Sequence, residues 1–165
     1  MARKSQPAQK DEHENDVTVA TNRVALYDFS VEDRFEAGIA LMGTEIKSIR
    51  VGRVSLREGF VRVVKGEAWL EGVHIAAYQY GTTNTHEPER PRKLLLHKRE
   101  LLELGKKTQA QGYTVVPLHL YLRKGRAKVE IALARGKRQY DKRHAIAERE
   151  SKREIARAMR SRDRD

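Results

Sequence analysis

The sequence predicts a mainly β domain with short helices, closed as a small antiparallel barrel between two polar tails. Three observations predict it: a period-two hairpin over residues 116–133, short strand-like runs separated by glycine turns, and ends poor in large apolar residues. In Val116-Pro117-Leu118-His119-Leu120-Tyr121-Leu122, residues Val116, Leu118, Leu120 and Leu122 share one face. After Arg123-Lys124-Gly125-Arg126 the return strand points Ala127, Val129, Ile131 and Leu133 inward, and Lys128 and Glu130 outward. Pro117 lacks a ladder donor, which places it at a strand start or a sheet edge.

Upstream, strands are expected over 24–31, 34–41, 60–64 and 68–74, the last two joined across Lys65-Gly66. A helix is expected over 44–50, with Ile46 and Ile49 on one face and Gly52 as its stop. Another is expected over 97–104, with Leu101 and Leu104 packing and Gly105 beyond. Residues 81–92, polar and proline-containing, read as an exposed loop. So many short strands in one small domain leave vulnerable edges unless the sheet closes on itself, hence the barrel.

The chain has 165 residues, with 34 Lys+Arg against 23 Asp+Glu, a formal charge of +11. Its length suits one domain with tails: an arm over 1–17, a barrel over 18–134 and a basic tail over 135–165. The arm, with Asp11, Glu12, Glu14 and Asp16 and no aromatic residue through position 16, is expected to be disordered. The tail carries twelve cations against six acids, and its Ile146 and Ile155 fall on opposite sides of a helical wheel. A helix without a continuous apolar stripe is marginal alone, so the tail reads either as a solvated, frayed segment or as one disordered when free that becomes helical when phosphates neutralise its cations.

No apolar run is long enough to cross a bilayer and the N-terminus carries no apolar signal region. Cysteine is absent, which excludes disulfides, thiolate metal sites and cysteine nucleophiles. An intracellular, cytoplasmic chain without membrane contact is the expectation. A pI near 10 points to a polyanionic partner.

Catalytic signatures are weak. His13, His74, His86, His97, His119 and His144 lack metal-ligand spacing, and there is no GxxxxGK[ST] or GxGxxG loop. Asp28, Glu32, Asp33 and Glu36 are the candidates for a metal-dependent nuclease, against a solvated strand connection as the plainer reading. No enzyme, no metal and no cofactor is the expectation. The basic constellations are stronger: Arg90-Pro91-Arg92-Lys93, Lys106-Lys107, and Arg135-Gly136-Lys137-Arg138. Such cations engage phosphates singly with counterion release, and few aromatics argue for folded RNA read by shape over stacked single strands. A permanent rRNA-bound ribosomal or assembly protein is the rival binding class.

The segments Glu36-Ala37-Gly38-Ile39-Ala40-Leu41, Gly43-Thr44-Glu45-Ile46-Lys47-Ser48-Ile49-Arg50, Arg92-Lys93-Leu94-Leu95-Leu96-His97 and Gly136-Lys137-Arg138-Gln139-Tyr140-Asp141-Lys142-Arg143 occur in this order. They resemble the SsrA-binding protein (SmpB) family over most of 22–157. The resemblance implies an oligonucleotide-binding-like barrel with a tail unstructured in solution. It implies a monomeric adaptor that binds the tRNA-like domain of tmRNA and delivers it to ribosomes stalled on nonstop mRNA. Elongation factor Tu and alanyl-tRNA synthetase are its functional associates. The resemblance implies RNA contacts at Glu36, Leu95, His97, Lys137 and Arg138, and Lys47, Arg50, Arg92 and Lys93 are expected to bind RNA beside them. The implied decoding-centre tail, which meets rRNA in the vacant mRNA channel, holds Tyr140, Asp141, Lys142, Arg143, Lys152 and Arg153. Many relatives have Asn where His97 stands, and some have His where Tyr140 stands.

Overall fold

The computed structural model describes residues 16–81, 85–110, 112–137 and 139–162. Its spine is the expected hairpin, β8 (Tyr113–Arg123) and β9 (Arg126–Gly136). Around it, in chain order, run β1 (Val17–Thr21), α1 (Arg23–Asp28), β2 (Phe29–Ile39), α2 (Gly43–Arg50) and the short β3 (Val54–Ser55). They are followed by β4 (Phe60–Val64), β5 (Glu67–Glu71), β6 (His74–Ile75), β7 (Arg92–Leu95) and α3 (Lys98–Thr108), and α4 (Gln139–Arg162) follows the hairpin.

The main sheet is a ring. β8 pairs with β4, β4 with β5, β5 with β7, β7 with β2, β2 with β9, and β9 returns to β8, every pairing antiparallel. Closure gives each of these six strands a neighbour on both sides, through Gly38 and Ile39 between β2 and β7 and through Val61 between β4 and β8. β1 shares with β4 the edge of β8 that faces away from β9, pairing at Thr21↔His119 to Val17↔Leu122 where β4 pairs at Val61↔Val115. β3 and β6 form a separate two-stranded sheet. The hairpin turns Lys65-Gly66 and Lys124-Gly125 have positive φ at both residues (50° and 73°; 49° and 76°), the type I′ geometry whose twist suits two-residue loops.

Pro117 differs from expectation, since it lies mid-strand in β8. It sits between the β4 and β1 pairings, and its carbonyl accepts from Asn22 Nδ2 at 3.1 Å. A residue's N–H and C=O point to the same side of a strand, so the missing donor faces this gap and no ladder bond is lost. A register shift between Pro117 and His119 also overturns the single apolar face predicted for β8. Leu120 joins the barrel core with Val115, Val129, Ile131 and Leu133, whereas Val116 and Leu118 turn outward to a second cluster with Ala25, Ala132 and Ala134. The inward set expected for β9 is borne out.

Where a strand was expected over 24–31, α1 forms because Asn22 caps it. Its Oδ1 accepts from Ala25 N–H at 3.0 Å while Nδ2 also ties Leu56 O at 2.9 Å. That buried amide joins α1, the β3 loop and β8. α3 runs through Gly105 instead of stopping there, because its core-side Leu104 is fully buried and the helix lies over β4 close to Val63.

Candidate RNA interface

Strand register assembles one outward row across the barrel. Tyr121 of β8 pairs with Lys128 of β9, Lys128 with Gly38 of β2, and Gly38 with Leu95 of β7. Directly paired residues project to the same face, and Glu36, two residues before Gly38, joins them. Gly38 has no side chain, so the row dips there; a Cβ at that position would stand 3.3 Å from Leu95 Cβ. Leu95 is 57% exposed, an apolar side chain standing beside a polar row.

The polar end of the row is a network. Tyr121 Oη donates to Glu36, Arg123 Nη1 donates to Glu36 at 2.9 Å, and Lys128 Nζ stands 3.6 Å from the same carboxylate. Arg123 also forks onto Asp16, at 3.0 Å and 3.2 Å from Nε and 2.8 Å from Nη2. Burial, then the bond to Glu36, pushes the Tyr121 phenol well above its ordinary value, so it remains a donor at neutral pH. The hydrogen bonds to Asp16 likewise raise Arg123, and its charge is permanent. Glu36 of β2 faces Glu130 of β9 across their ladder, and Arg34, 3.2 Å from Glu130, compensates that like-charge pair.

Other residues singled out by the sequence are spread more widely. Lys47 Nζ lies 5.4 Å from the Tyr78 ring centroid, and Arg50 at the end of α2 reaches Gly125 O at 3.5 Å, setting that helix against the β8–β9 turn. Lys93 pairs with Glu67 at 2.5 Å. His97 is exposed at the start of α3, where its backbone N–H donates to Glu100 at 3.0 Å. Lys137 N–H donates to Asp28 O at 2.9 Å, fixing the exit of β9 to the end of α1. Arg138 lies outside the described residues. Tyr140, Asp141, Lys142 and Arg143 fall in the first turns of α4, and their side chains lie outside the described set. Lys152, paired with Glu148 at 2.6 Å, and Arg153 are exposed on α4.

Arg92 is a correction. It was expected on RNA, yet it is 0% exposed, with Nε on Glu45 at 2.8 Å, Nη1 on Val73 O at 2.8 Å and Nη2 on Pro88 O at 2.9 Å. Arg90 closes the other side of Glu45 at 2.6 Å and 2.9 Å. Burial opposes the Glu45 charge, but bonds from Arg90, the Met42 N–H and Arg92 outweigh it and hold the carboxyl below its ordinary value. The stretch Arg90-Pro91-Arg92-Lys93 therefore fastens the 76–91 connection to α2 more than it charges the surface. Lys107 is similarly engaged, by Asp33 at 2.7 Å and Glu103 at 2.6 Å.

The acidic candidates for a nuclease diverge: Asp33 meets Lys107, Glu32 accepts from the Tyr113 hydroxyl at 3.2 Å, and Glu36 meets Arg123. Among the described residues no group of three or more His, Asp or Glu is placed to hold a metal. His86 is buried and structural: Nε2 donates to Ile75 O at 3.0 Å, which leaves Nδ1 to accept from Thr44 Oγ1 at 2.9 Å. Sequence reasoning missed Tyr121 and Arg123 as members of the row. Lys128 was placed outward but not joined to Glu36. The usable signal was the outward phase of β9, which puts Lys128 beside whatever β2 presents.

No helix among the described residues is long and apolar enough to cross a membrane. A closed antiparallel barrel with Lys128 and Arg123 on its outer face, a basic helical extension and a formal charge of +11 has the make-up of a polyanion-binding module. The SmpB protein family model matches residues 19–161. The chain is 57% identical over 162 residues to the SsrA-binding protein of Thermobifida fusca (strain YX), covering 98% of this chain and 99% of the relative. It is 60% identical over 153 residues to that of Roseiflexus sp. (strain RS-1), covering 91% and 97%. A chain from the structure reported as "tmRNA-SmpB: a journey to the center of the bacterial ribosome" is 45% identical, with a TM-score of 0.63, covering 77% of this chain and 93% of that one. The chain belongs to the SmpB, or SsrA-binding protein, family.

Proposed function

We propose that this chain is a non-enzymatic adaptor that binds the tRNA-like domain of tmRNA and carries it to ribosomes stalled on nonstop mRNA. Its nascent chains are then tagged for degradation and the ribosomes released. The observation that carries the reading is the row Tyr121–Lys128–Gly38–Leu95 with Glu36, in a chain of this family. Cations on the row neutralise phosphates, Glu36 accepts from a base or ribose, and Leu95 with His97 packs against an unstacked surface. Lys47, Arg50, Lys93, Lys137 and Arg138 extend the phosphate contacts. Elongation factor Tu and alanyl-tRNA synthetase act on the same RNA, and the chain works as a monomer in the cytoplasm.

The tail is the ribosomal sensor. Free, the tail residues 139–162 leave their helix readily; inside an empty mRNA channel they settle as the helix seen in α4. Tyr140, Asp141, Lys142 and Arg143 stand near the decoding centre, with Lys152 and Arg153 on rRNA farther along. A 24-residue helix spans about 36 Å, against roughly 80 Å for the same residues extended. Downstream mRNA excludes it sterically, so the ordering free energy is available only on a ribosome whose channel is empty.

A truncation ending at Lys137 tests both halves. Ending earlier, at Leu133, would strip the pairings of Ala134, Arg135 and Gly136 with β2. The Lys137 truncation should fold and bind the tRNA-like domain within about tenfold of the full chain, and fail to support tagging in a reconstituted translation system. Normal tagging by this truncation refutes the tail's role, and loss of selective binding to the tRNA-like domain by the full chain refutes the adaptor.

A further inference from the structure

Asp16 sits one residue before β1 with its side chain 10% exposed, and its carboxylate spans Nε and Nη2 of Arg123. This is a planar fork on a planar acceptor, the geometry in which a guanidinium also takes a phosphate. Arg123 is 24% exposed, belongs to the network that includes Glu36, Tyr121 and Lys128, and lies beside the turn carrying Lys124 and Arg126. Across the strands Arg123 pairs with Arg126, a like-charge juxtaposition that a carboxylate relieves. Nothing in the barrel's closure requires an acid at position 16, because the β1 pairing begins at Val17.

We propose that Arg123 is a phosphate-binding residue of the RNA face and that Asp16 is its internal competitor, a carboxylate occupying the fork until an RNA phosphate displaces it. The inference rests on the proposed RNA-binding role. Seating a phosphate on Arg123 releases a cation from the RNA, but displaces the Asp16 carboxylate into reach of counterions, so this contact adds little to the salt dependence. Removing the carboxylate uncovers both the attraction and the missing counterion release.

The test uses the full chain and a labelled tRNA-like domain of tmRNA, with an unrelated RNA hairpin as second probe. Binding is titrated across salt for wild type, Asp16→Asn, Asp16→Ser, Arg123→Gln and the Asp16→Asn/Arg123→Gln pair, each first shown folded by its thermal transition. Either Asp16 variant should bind the tRNA-like domain about three- to tenfold more tightly, with the log–log salt slope steeper by about 0.7 to 0.9. The gain should vanish in the Arg123→Gln background. Equal or weaker binding by both Asp16 variants, or a gain that survives without Arg123, overturns the proposal. Wild type binding both probes equally well overturns the adaptor reading instead, and the Asp16 effect is then still read on the hairpin.

Discussion

Replacing Glu45 by Ala isolates the most heavily committed charge in the fold. The substitution strands Arg92 at 0% exposure: Nη1 and Nη2 keep Val73 O and Pro88 O, but Nε loses its acceptor and the cation its counter-charge. Removing one partner of a buried ion pair costs about 3–5 kcal/mol. Met42 N–H, which donates to Glu45 at 2.7 Å as α2 begins, loses its acceptor too, for about 1 kcal/mol more. A loss of about 4–6 kcal/mol is a large share of a total stability of roughly 5–15 kcal/mol. With a urea slope of about 2 kcal/mol/M, the midpoint of urea unfolding should fall by about 2–3 M. The pair Glu45→Leu/Arg92→Met should recover at least half of that fall, because no unpaired charge remains inside. A midpoint shift below about 0.5 M for Glu45→Ala, or a double variant as unstable as the two losses added, would refute the reasoning. Arg92→Met should leave the salt slope of RNA binding unchanged, whereas loss of a direct phosphate contact would flatten it by nearly one.

Two further outcomes follow from the same geometry. Because Glu45 binds its proton more weakly folded than unfolded, the unfolded chain takes up the proton first as pH falls; the carboxylate's contribution is intact above about pH 5 and fades below it, so chemical denaturation of wild type should lose stability more steeply than Glu45→Gln over about pH 5 to 3. Parallel curves would remove Glu45 from the acid limb. Gly72→Ala should cost about 3 kcal/mol, since φ is +67° and a Cβ would stand 2.3 Å from Glu58 O, whereas Gly125→Ala, at φ +76° with open space around it, should cost only about 1 kcal/mol; thermal unfolding of the two side by side checks the contrast.

What could be read from the sequence follows the range of the interactions. The Lys65-Gly66 turn of the β4–β5 hairpin and the β9 inward set are written in local alternation and turn residues and stand where expected, whereas β5 ends at Glu71 and His74 belongs to β6. The Pro117 bulge could not be read this way, since it depends on Asn22, 95 residues away, supplying the donor for Pro117 O. Asn22 went unread as a cap, because the apolar run after it suggested a strand. Glu36, Leu95 and His97 were reached through resemblance; composition alone would have spread the RNA face over every basic cluster. Arg92 shows why: in sequence an Arg beside Arg90 and Lys93 reads as surface charge, and only the fold reveals Glu45 waiting 47 residues upstream. Tyr121 and Arg123 escaped notice because one looked like strand filler and the other like turn chemistry.

The bond from Lys137 N–H to Asp28 O, with the Phe29↔Gly136 pairing beside it, fixes the chain to the barrel two residues before the C-terminal helix begins. Turning the body by about 10° about that point carries the far end of a 36 Å lever through about 6 Å, more than one helical turn. Under the proposed ribosomal role, small errors in how the body seats are thereby magnified at the opposite tip, inside the channel it has to enter.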